Sequence, residues 1–150
     1  MPWIMRATPA LYDLAGRLAV DCWIIDWSVQ ANVKGGRDSV HIGDRVWFAI
    51  LEAPGTFGTI IGRGKILSKV VDAISPERDL NPPFCPNRAE FQGAFQRVFV
   101  EVADRLRQPF PLANERQNPV LQNMFIYRQT QGNMFWVTDE EAAELNRLIP

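Results

Sequence analysis

Gly43-Asp44-Arg45-Val46-Trp47-Phe48-Ala49-Ile50-Leu51 is the stretch of this 150-residue sequence that decides the fold. The segment from Arg45 to Leu51 is almost continuously apolar and rich in β-forming residues, which predicts a strand. The glycine-containing segment Val33–Gly43 before it and Ala53-Pro54-Gly55 after it predict turns.

Several other short segments have the composition of strands. They are Trp3–Met5, Cys22–Trp27, Phe57–Val71 and Arg97–Val102. The glycines at positions 58, 62 and 64 predict that the third of these segments bends or bulges, as a small barrel requires. Near the end of the chain, Gly132 turns the sequence toward a further apolar segment, Phe135–Val137.

Helical patterns occur in three places. The segment Pro9–Val20 carries leucines at spacings of three and four, which lie on one helix face. Asn118-Pro119 fits an N-cap followed by proline at the first helical position, which predicts a short helix through about Arg128. Thr138-Asp139-Glu140-Glu141 is a capping box. The residues that then line one face of the last helix are Ala142, Leu145 and Ile149.

Together these elements predict an α+β fold, a small bent sheet of about five or six strands with short helices around it. The sequence contains no repeat and no clear linker, so we expect a single domain over residues 1–150. The prolines between Ser75 and Asn87 predict a largely irregular excursion.

The composition is that of a soluble folded protein, with 47% hydrophobic and 22% charged residues. The two cysteines, Cys22 and Cys85, form no CxxC motif and have one histidine as a further partner, which argues against a structural zinc site. We therefore expect no metal and no cofactor, while the sequence leaves open whether the cysteines lie close together. It has no apolar run of about 18 residues and no signal-peptide pattern, so we expect a cytoplasmic protein without a membrane segment.

The net charge of −1 gives no global basic field for gripping nucleic acid. Between Val33 and Lys69, however, six basic residues stand against three acidic ones. The last 12 residues carry four acidic residues against one basic residue. Two interpretations remain open: a mildly basic face that approaches a phosphate backbone, and an ordinary solvated surface.

Enzyme signatures are mostly missing. The only histidine, His41, lies in a turn-like segment beside Asp38, Ser39 and Asp44, and adjacency in sequence is not triad geometry. Gly62-Arg63-Gly64-Lys65 lacks the spacing of a phosphate-binding loop and does not open a helix. The carboxylates form no convincing pair for glycoside chemistry. We therefore expect a binding domain with no catalytic residue.

The aromatic content points to a different kind of site. There are five tryptophans, and Trp23, Trp27 and Trp47 lie on neighbouring strand candidates. Trp23 and Trp27 are four residues apart and would share a side of a regular strand. One interpretation is ordinary core packing. The other is an aromatic slot for a nucleobase, which gains about 1–3 kcal/mol per stacked base and accepts a base flipped out of a duplex.

Four stretches, in order, resemble the EVE domains, relatives of the PUA and YTH folds. The first is Trp3-Ile4-Met5-Arg6-Ala7-Thr8-Pro9 with Tyr12-Asp13-Leu14. The second is Trp27 followed by Ile42-Gly43-Asp44-Arg45-Val46-Trp47-Phe48, the third is Gly55–Gly58 through Ile61–Ile66, and the fourth is Gln131-Gly132 with Val137–Ala142.

This resemblance implies a PUA-like bent mixed sheet or pseudo-barrel with a central pocket for a modified base. It implies a reader of 5-methylcytosine, 5-hydroxymethylcytosine or N6-methyladenine in DNA, with the base flipped into an aromatic cage. It also implies a recognition module of a modification-dependent restriction system, beside a fused or partner nuclease or NTPase. The stretch Gly55–Ile66 is longer than the usual family form, and the excursion Ser75–Pro86 is not diagnostic of the family, so the choice of base stays open.

The same resemblance suggests which residues form the site. The candidates for the base pocket are Trp27, Trp23, Trp47, Phe57, Asp26, Thr8, Gln30 and Asn32. The candidates for phosphate contacts are Arg37, Arg63, Lys65 and Lys69. For Asp26 the sequence allows two roles, an acceptor for a base amino group and a solvent-facing strand carboxylate.

Two other classes of function remain open. A PUA-like domain can recognise modified RNA, which differs from DNA by its 2′-OH groups. A protein-binding or small-molecule-binding module is the third possibility. Binding to duplex DNA that weakens with salt would distinguish nucleic-acid binding from this last class.

Overall fold

The structure is a computed structural model that describes residues 1–20, 23–75, 94–129 and 131–150. Its strands are β1 (Trp3–Ala7), β2 (Ile24–Ser28), β3 (Arg45–Ile50), β4 (Thr59–Ile66), β5 (Val71–Ile74), β6 (Ala94–Pro111) and β7 (Met134–Trp136). Its helices are α1 (Leu14–Ala19), α2 (Phe125–Arg128) and α3 (Asp139–Leu148), with 3-10 turns at Arg37–Ser39 and Leu112–Glu115. Residues Cys22 and Cys85, and the predicted excursion from residue 76 onward, lie outside the described residues.

The strands form one seven-stranded mixed sheet in the order β2-β6-β4-β3-β1-β7, with β5 paired to β6. The strands β1 and β3 are parallel, and the other pairs are antiparallel. The α+β class with a bent sheet and short helices is confirmed. The sheet has seven strands where five or six were expected, because the predicted strand Phe57–Val71 ends at Ile66 and a separate strand, β5, begins at Val71.

Both faces of β3 are buried, which explains its continuous apolar sequence. Val46, Phe48 and Ile50 belong to one hydrophobic cluster, while Trp47 and Ala49 belong to a second. We call these the α1 cluster, which includes Leu14 and Leu18, and the α3 cluster, which includes Ala142 and Leu145. The sheet therefore separates two cores, each covered by one of the helices.

The predicted bend in the glycine-rich strand is confirmed. The pairing of β4 with β6 shifts register between Ile60 and Gly62 and again between Arg63 and Gly64. A Cβ at Gly62 would lie 2.9 Å from the carbonyl oxygen of Asp104, and a Cβ at Gly64 would overlap the carbonyl oxygen of Glu101. The glycines thus allow the backbones to approach closely where the sheet curls.

The capping box of α3 is also confirmed. The backbone N–H of Glu141 donates to Oγ1 of Thr138 at 3.1 Å, and the N–H of Thr138 donates to Oε2 of Glu141 at 2.9 Å. The apolar face predicted for this helix, which includes Leu145 and Ile149, is buried.

The other two helices are shorter than predicted. The helix α1 begins at Leu14, because the carboxylate of Asp13 caps it by accepting from the N–H of Gly16 at 3.0 Å, so Leu11 precedes the helix. The side chain of Asn118 accepts from two backbone N–H groups, as an N-cap would. It caps only a turn, and the regular helix starts later, at Phe125.

Replacing Gly64 by alanine tests the close approach of β4 and β6. We expect Gly64→Ala to lower the free energy of unfolding by about 2 kcal/mol or more, because the new methyl group overlaps a backbone carbonyl. As a control, Gly55→Ala places its methyl group in open space and costs only the strain of a positive φ, about 1 kcal/mol. Urea denaturation of both variants measures the difference, and equal losses would contradict this account of the bend.

Candidate functional site

A cavity of about 530 Å³ lies between β2, at one end of the sheet, and β1, which is next to β7 at the other end. The ends of β1 and β2, the segment before α1 and the turn that leads into β7 form its walls. The lining residues are Arg6, Ala7, Thr8, Leu11, Tyr12, Asp26, Trp27, Ser28, Gln30, Leu51, Arg97, Gln131, Gly132 and Asn133.

Asn133 joins the two sides of this cavity. Its backbone carbonyl accepts from the indole Nε1 of Trp27 at 3.2 Å and from the backbone N–H of Arg6 at 2.9 Å. Its side-chain Nδ2 donates to the carbonyl oxygen of Ser28 at 2.9 Å. Gly132 before it has a φ of +128°, a conformation that favours glycine and turns the chain into this position. One residue thus connects β1 with β2, which are not neighbours in the sheet.

Two aromatic rings form a corner of the cavity. The rings of Tyr12 and Trp27 are 6.2 Å apart at an angle of 89°. Both side chains belong to the α1 cluster, and Trp27 is only 5% exposed. The edge-to-face contact fixes the orientation of each ring. The cavity therefore has two rigid, nearly perpendicular aromatic walls.

A buried ion pair forms the polar part of the lining. Nη1 of Arg97 donates to Oδ2 of Asp26 at 2.8 Å, and the two side chains are 2% and 1% exposed. The hydroxyl of Ser75 donates to the other carboxylate oxygen at 3.0 Å. The carboxylate of Asp26 is therefore buried and not solvent-facing, which corrects the second of the two roles allowed from sequence. Because Asp26 and Trp27 are consecutive strand residues, their side chains leave opposite faces of β2, and the cavity extends around the edge of that strand.

Arg6 contributes to the cavity differently. Its Nη1 donates to the carbonyl oxygen of Phe57 at 2.9 Å, and its guanidinium lies 4.5 Å from the ring centre of Phe135. Burial lowers the pKa of this guanidinium. Since both partners pack in the α3 cluster, the charged end of Arg6 lies on that side of the sheet.

The structure brings only half of the predicted pocket residues to the cavity. Those that line it are Trp27, Asp26, Thr8 and Gln30. Trp47 is buried in the α3 cluster, because alternate residues of β3 face opposite sides of the sheet. Phe57 packs in the same cluster, edge-to-face against Tyr127 at 5.1 Å. Trp23 precedes β2 and is 69% exposed, and Asn32 lies in an exposed turn. The structure therefore places these four predicted residues outside the lining of the cavity.

The predicted phosphate contacts are also divided. Arg63 forms a two-pronged ion pair with Asp104, with a shortest distance of 2.6 Å, and this hydrogen bond raises the pKa of Arg63. Lys65 lies 3.6 Å from the carboxylate of Glu101. Both cations thus lie beside acidic residues of β6, and their contacts with phosphate stay a prediction.

The other two predicted phosphate ligands differ from these. Nε of Arg37 donates to the carbonyl oxygen of Val29 at 3.2 Å, between two residues that line the cavity. Lys69 is exposed on the segment before β5. Of the four predicted phosphate ligands, Arg37 is therefore the one that contacts the segment lining the cavity.

The residues around His41 serve the turn. The backbone N–H of His41 donates to Oδ2 of Asp44 at 2.9 Å, and the same oxygen accepts from Nε1 of Trp3 at 3.1 Å. Ser39 donates its hydroxyl to backbone carbonyls within the turn. Across the described ranges there is no group of three or more potential metal ligands, and no helix there is long and apolar enough to span a bilayer.

Sequence reasoning missed several lining residues. Tyr12, Gln131 and Gly132 lie within the stretches that resemble the EVE domains, but the sequence alone indicates no contact of these residues with a ligand. Arg97 lay in a predicted strand, where nothing marked it as the partner of Asp26. Asn133 gave no signal beyond its position after a turn glycine, since its role depends on which strands it joins.

Solved structures share this arrangement of strands and helices over almost the whole chain. Human THYN1 in complex with 5-methylcytosine-containing DNA matches at a TM-score of 0.67 and 18% identity, with 97% of this chain and 95% of that chain covered. The fold is EVE-like and PUA-like. The DUF55 domain of human thymocyte nuclear protein 1 matches at 0.66 and 17% identity, covering 99% of this chain and 98% of that one.

A protein from Pseudomonas syringae matches at a TM-score of 0.66 and 18% identity, with complete coverage of both chains. No protein-family model and no curated protein matches the sequence. The fold predicted from the four stretches is thus confirmed by structural similarity.

Breaking the buried ion pair tests how the cavity is supported. We expect Arg97→Met to lower the free energy of unfolding by about 3–5 kcal/mol, because it leaves the carboxylate of Asp26 buried without its cation. The control Arg105→Met changes an exposed arginine of the same strand and should cost no more than about 0.5 kcal/mol. Chemical denaturation measures both values, and a loss below about 1 kcal/mol for Arg97→Met would contradict the role of the pair.

Proposed function

We propose that this chain is a binding domain that recognises a modified nucleobase in nucleic acid, with the base flipped into the cavity beside Trp27 and Tyr12. The observation that carries the proposal is the cavity itself, in which two aromatic walls meet a polar edge. The function needs no catalytic residue, and we assign none.

The size and lining of the cavity suit a base. Its volume of about 530 Å³ falls within the range of about 300–1,000 Å³ that is typical of small-ligand sites. Leu11 and Leu51 add apolar surface to the aromatic walls, which suits the flat faces of a ring. Asp26, Asn133 and Gln30 supply hydrogen-bonding groups, which suit its polar edge.

Structural similarity supports the choice of nucleic acid. Human THYN1, which has the same fold, forms a complex with 5-methylcytosine-containing DNA. We therefore propose modified DNA as the ligand, with 5-methylcytosine, 5-hydroxymethylcytosine and N6-methyladenine as the candidate bases. Modified RNA is the alternative that the binding experiment below distinguishes.

We further propose a biological setting for this activity. A domain that binds a modified base and performs no chemistry requires a separate effector. We propose that residues 1–150 act as a single recognition domain in a modification-dependent restriction system, working with a nuclease or NTPase module. The setting we propose is cytoplasmic.

The charge distribution supports a pocket-driven mode of binding. The net charge is −1, and Arg63 and Lys65 are paired with acids. Arg37 beside the cavity, with Lys34 on the neighbouring turn, is the best-placed basic group for a phosphate. We therefore expect the binding constant for DNA to fall only weakly as the salt concentration rises, with a dependence that corresponds to about one to three phosphate contacts.

A binding panel tests the proposed function. Short duplexes that differ only in one cytosine, 5-methylcytosine, 5-hydroxymethylcytosine, adenine or N6-methyladenine are titrated with the protein in a fluorescence anisotropy assay, with matched RNA duplexes alongside. We expect one modified base to bind at least about tenfold more tightly than its unmodified counterpart, because a flipped base gains stacking and edge contacts together. Equal affinity across the whole panel would rule out the proposal.

Two exposed amides from one loop give a matched test of the cavity. Gln30 lines the cavity and Asn32 does not, although both are exposed. We expect Gln30→Ala to weaken binding of the preferred duplex by about three- to tenfold, equivalent to one hydrogen bond, while Asn32→Ala leaves it unchanged. The opposite ranking in the same assay would place the base elsewhere.

Trp27 is tested by a conservative variant. Trp27→Ala would leave a cavity in the α1 cluster and cost about 3–5 kcal/mol of stability. Trp27→Phe keeps most of the packing but reduces the stacking surface and removes the bond to Asn133. We expect it to reduce the preference for the modified base while circular dichroism shows an intact fold. An unchanged preference would remove Trp27 from the site.

A further inference from the structure

Asn133 presents an unpaired acceptor at the cavity. Its Oδ1 is buried and has no hydrogen-bond partner among the residues that the structure describes. The orientation of the amide is fixed, because Nδ2 on the other side donates to the carbonyl oxygen of Ser28. A buried acceptor without a donor is unfavourable, and such groups at a ligand site are explained most simply by a ligand that donates to them.

The carboxylate of Asp26 also offers hydrogen-bond acceptors at the cavity. Each oxygen of the Asp26 carboxylate accepts one hydrogen bond, from Arg97 or from Ser75. A carboxylate oxygen can accept two, so this group can accept further bonds from a ligand. Asp26 and Asn133 both line the cavity, and both offer acceptors there.

Three side chains that line the cavity donate hydrogen bonds within the protein. Nε1 of Trp27 donates to the carbonyl oxygen of Asn133. The guanidinium of Arg6 donates to the carbonyl oxygen of Phe57 on the other side of the sheet. Nη1 of Arg97 donates to Asp26. Each of these three side chains therefore uses at least one N–H group within the protein, whereas Oδ1 of Asn133 receives no hydrogen bond from the described residues.

We propose that Asn133, supported by Asp26, makes the cavity selective for bases that carry an exocyclic amino group. This inference rests on the proposed function and adds which chemical edge of the base is recognised. Cytosine and adenine, methylated or not, present an amino donor on that edge, whereas thymine and uracil present a carbonyl oxygen at the corresponding position. An amino group satisfies Oδ1 of Asn133, while a carbonyl oxygen placed there meets an acceptor and leaves both groups unpaired.

Single-stranded oligonucleotides of one sequence test this selectivity in the wild-type protein. One central position carries 5-methylcytosine, thymine, cytosine or uracil. The first two share the methyl group and the ring shape and differ in the C4 substituent and the protonation of N3. We expect 5-methylcytosine to bind at least about tenfold more tightly than thymine, and cytosine more tightly than uracil. Single strands remove any difference in the cost of opening a base pair.

A pair of asparagine variants assigns the selectivity to a residue. Asn133→Ala removes the unpaired acceptor, whereas Asn146→Ala changes an exposed asparagine of α3. We expect the ratio of dissociation constants for thymine and 5-methylcytosine to fall several-fold in Asn133→Ala and to stay at the wild-type value in Asn146→Ala. Thermal unfolding of each variant shows whether the loss of the bond to Ser28 has disturbed the fold, and the wild-type comparison stands independently of that result.

The outcomes separate this inference from the proposed function. A protein that prefers modified bases but binds thymine as tightly as 5-methylcytosine would overturn the inference and leave the function standing. A wild-type ratio that persists in folded Asn133→Ala would overturn the role of this residue. The absence of binding to every oligonucleotide would contradict both the inference and the function.

Discussion

The burial of β3 on both faces is the constraint on which the rest of the structure depends. A strand without a polar face must lie inside a sheet that is covered on both sides. The chain meets this requirement with a mixed sheet that has one helix-covered core on each face. The glycines of β4 then allow the sheet to curl, because backbone carbonyls occupy the space where side chains would lie. Curling brings the strands at the two ends of the sheet toward each other without pairing them.

The cavity is a consequence of that incomplete closure. Strands at the edge of a sheet leave backbone groups without partners, and proteins cover or bridge them. Here the bridge is Asn133, which uses its backbone carbonyl toward β1 and Trp27 and its side chain toward β2. A bridge of one residue holds the two sides at a fixed distance and leaves space beside it. The aromatic corner of Tyr12 and Trp27 and the ion pair of Asp26 are positioned at that space by the same strands.

Much of the fold was predictable, because its signals are local. The apolar run of β3, the capping box at Thr138 and the glycines of β4 are each visible within a short stretch of sequence, and each prediction is confirmed. The candidate site was less predictable, because its members come from distant parts of the chain. Trp27 was identified, but Trp47 was assigned to the same pocket because the sequence does not show which face of the sheet each strand turns toward the cavity. The partner of Trp27 is Tyr12, which lies between β1 and α1, and the leucine spacing around it predicts a helix but indicates no contact with Trp27.

The surface charges bear on how such a site would gain affinity. A protein that binds nucleic acid through its phosphates gains free energy by releasing counterions, and it needs unpaired cations to do so. Arg63 and Lys65 do not meet this requirement, because their charges are compensated by Asp104 and Glu101. In the proposed mode of binding, most of the binding free energy would then come from the flipped base, through stacking and the hydrogen bonds at its edge. When one base contributes most of the binding free energy, discrimination between bases is also strong, because a wrong base loses a large share of that free energy. If the proposed function holds, the weakly charged surface and the polar edge of the cavity act together, because the protein would gain little from nucleic acid that lacks the right base.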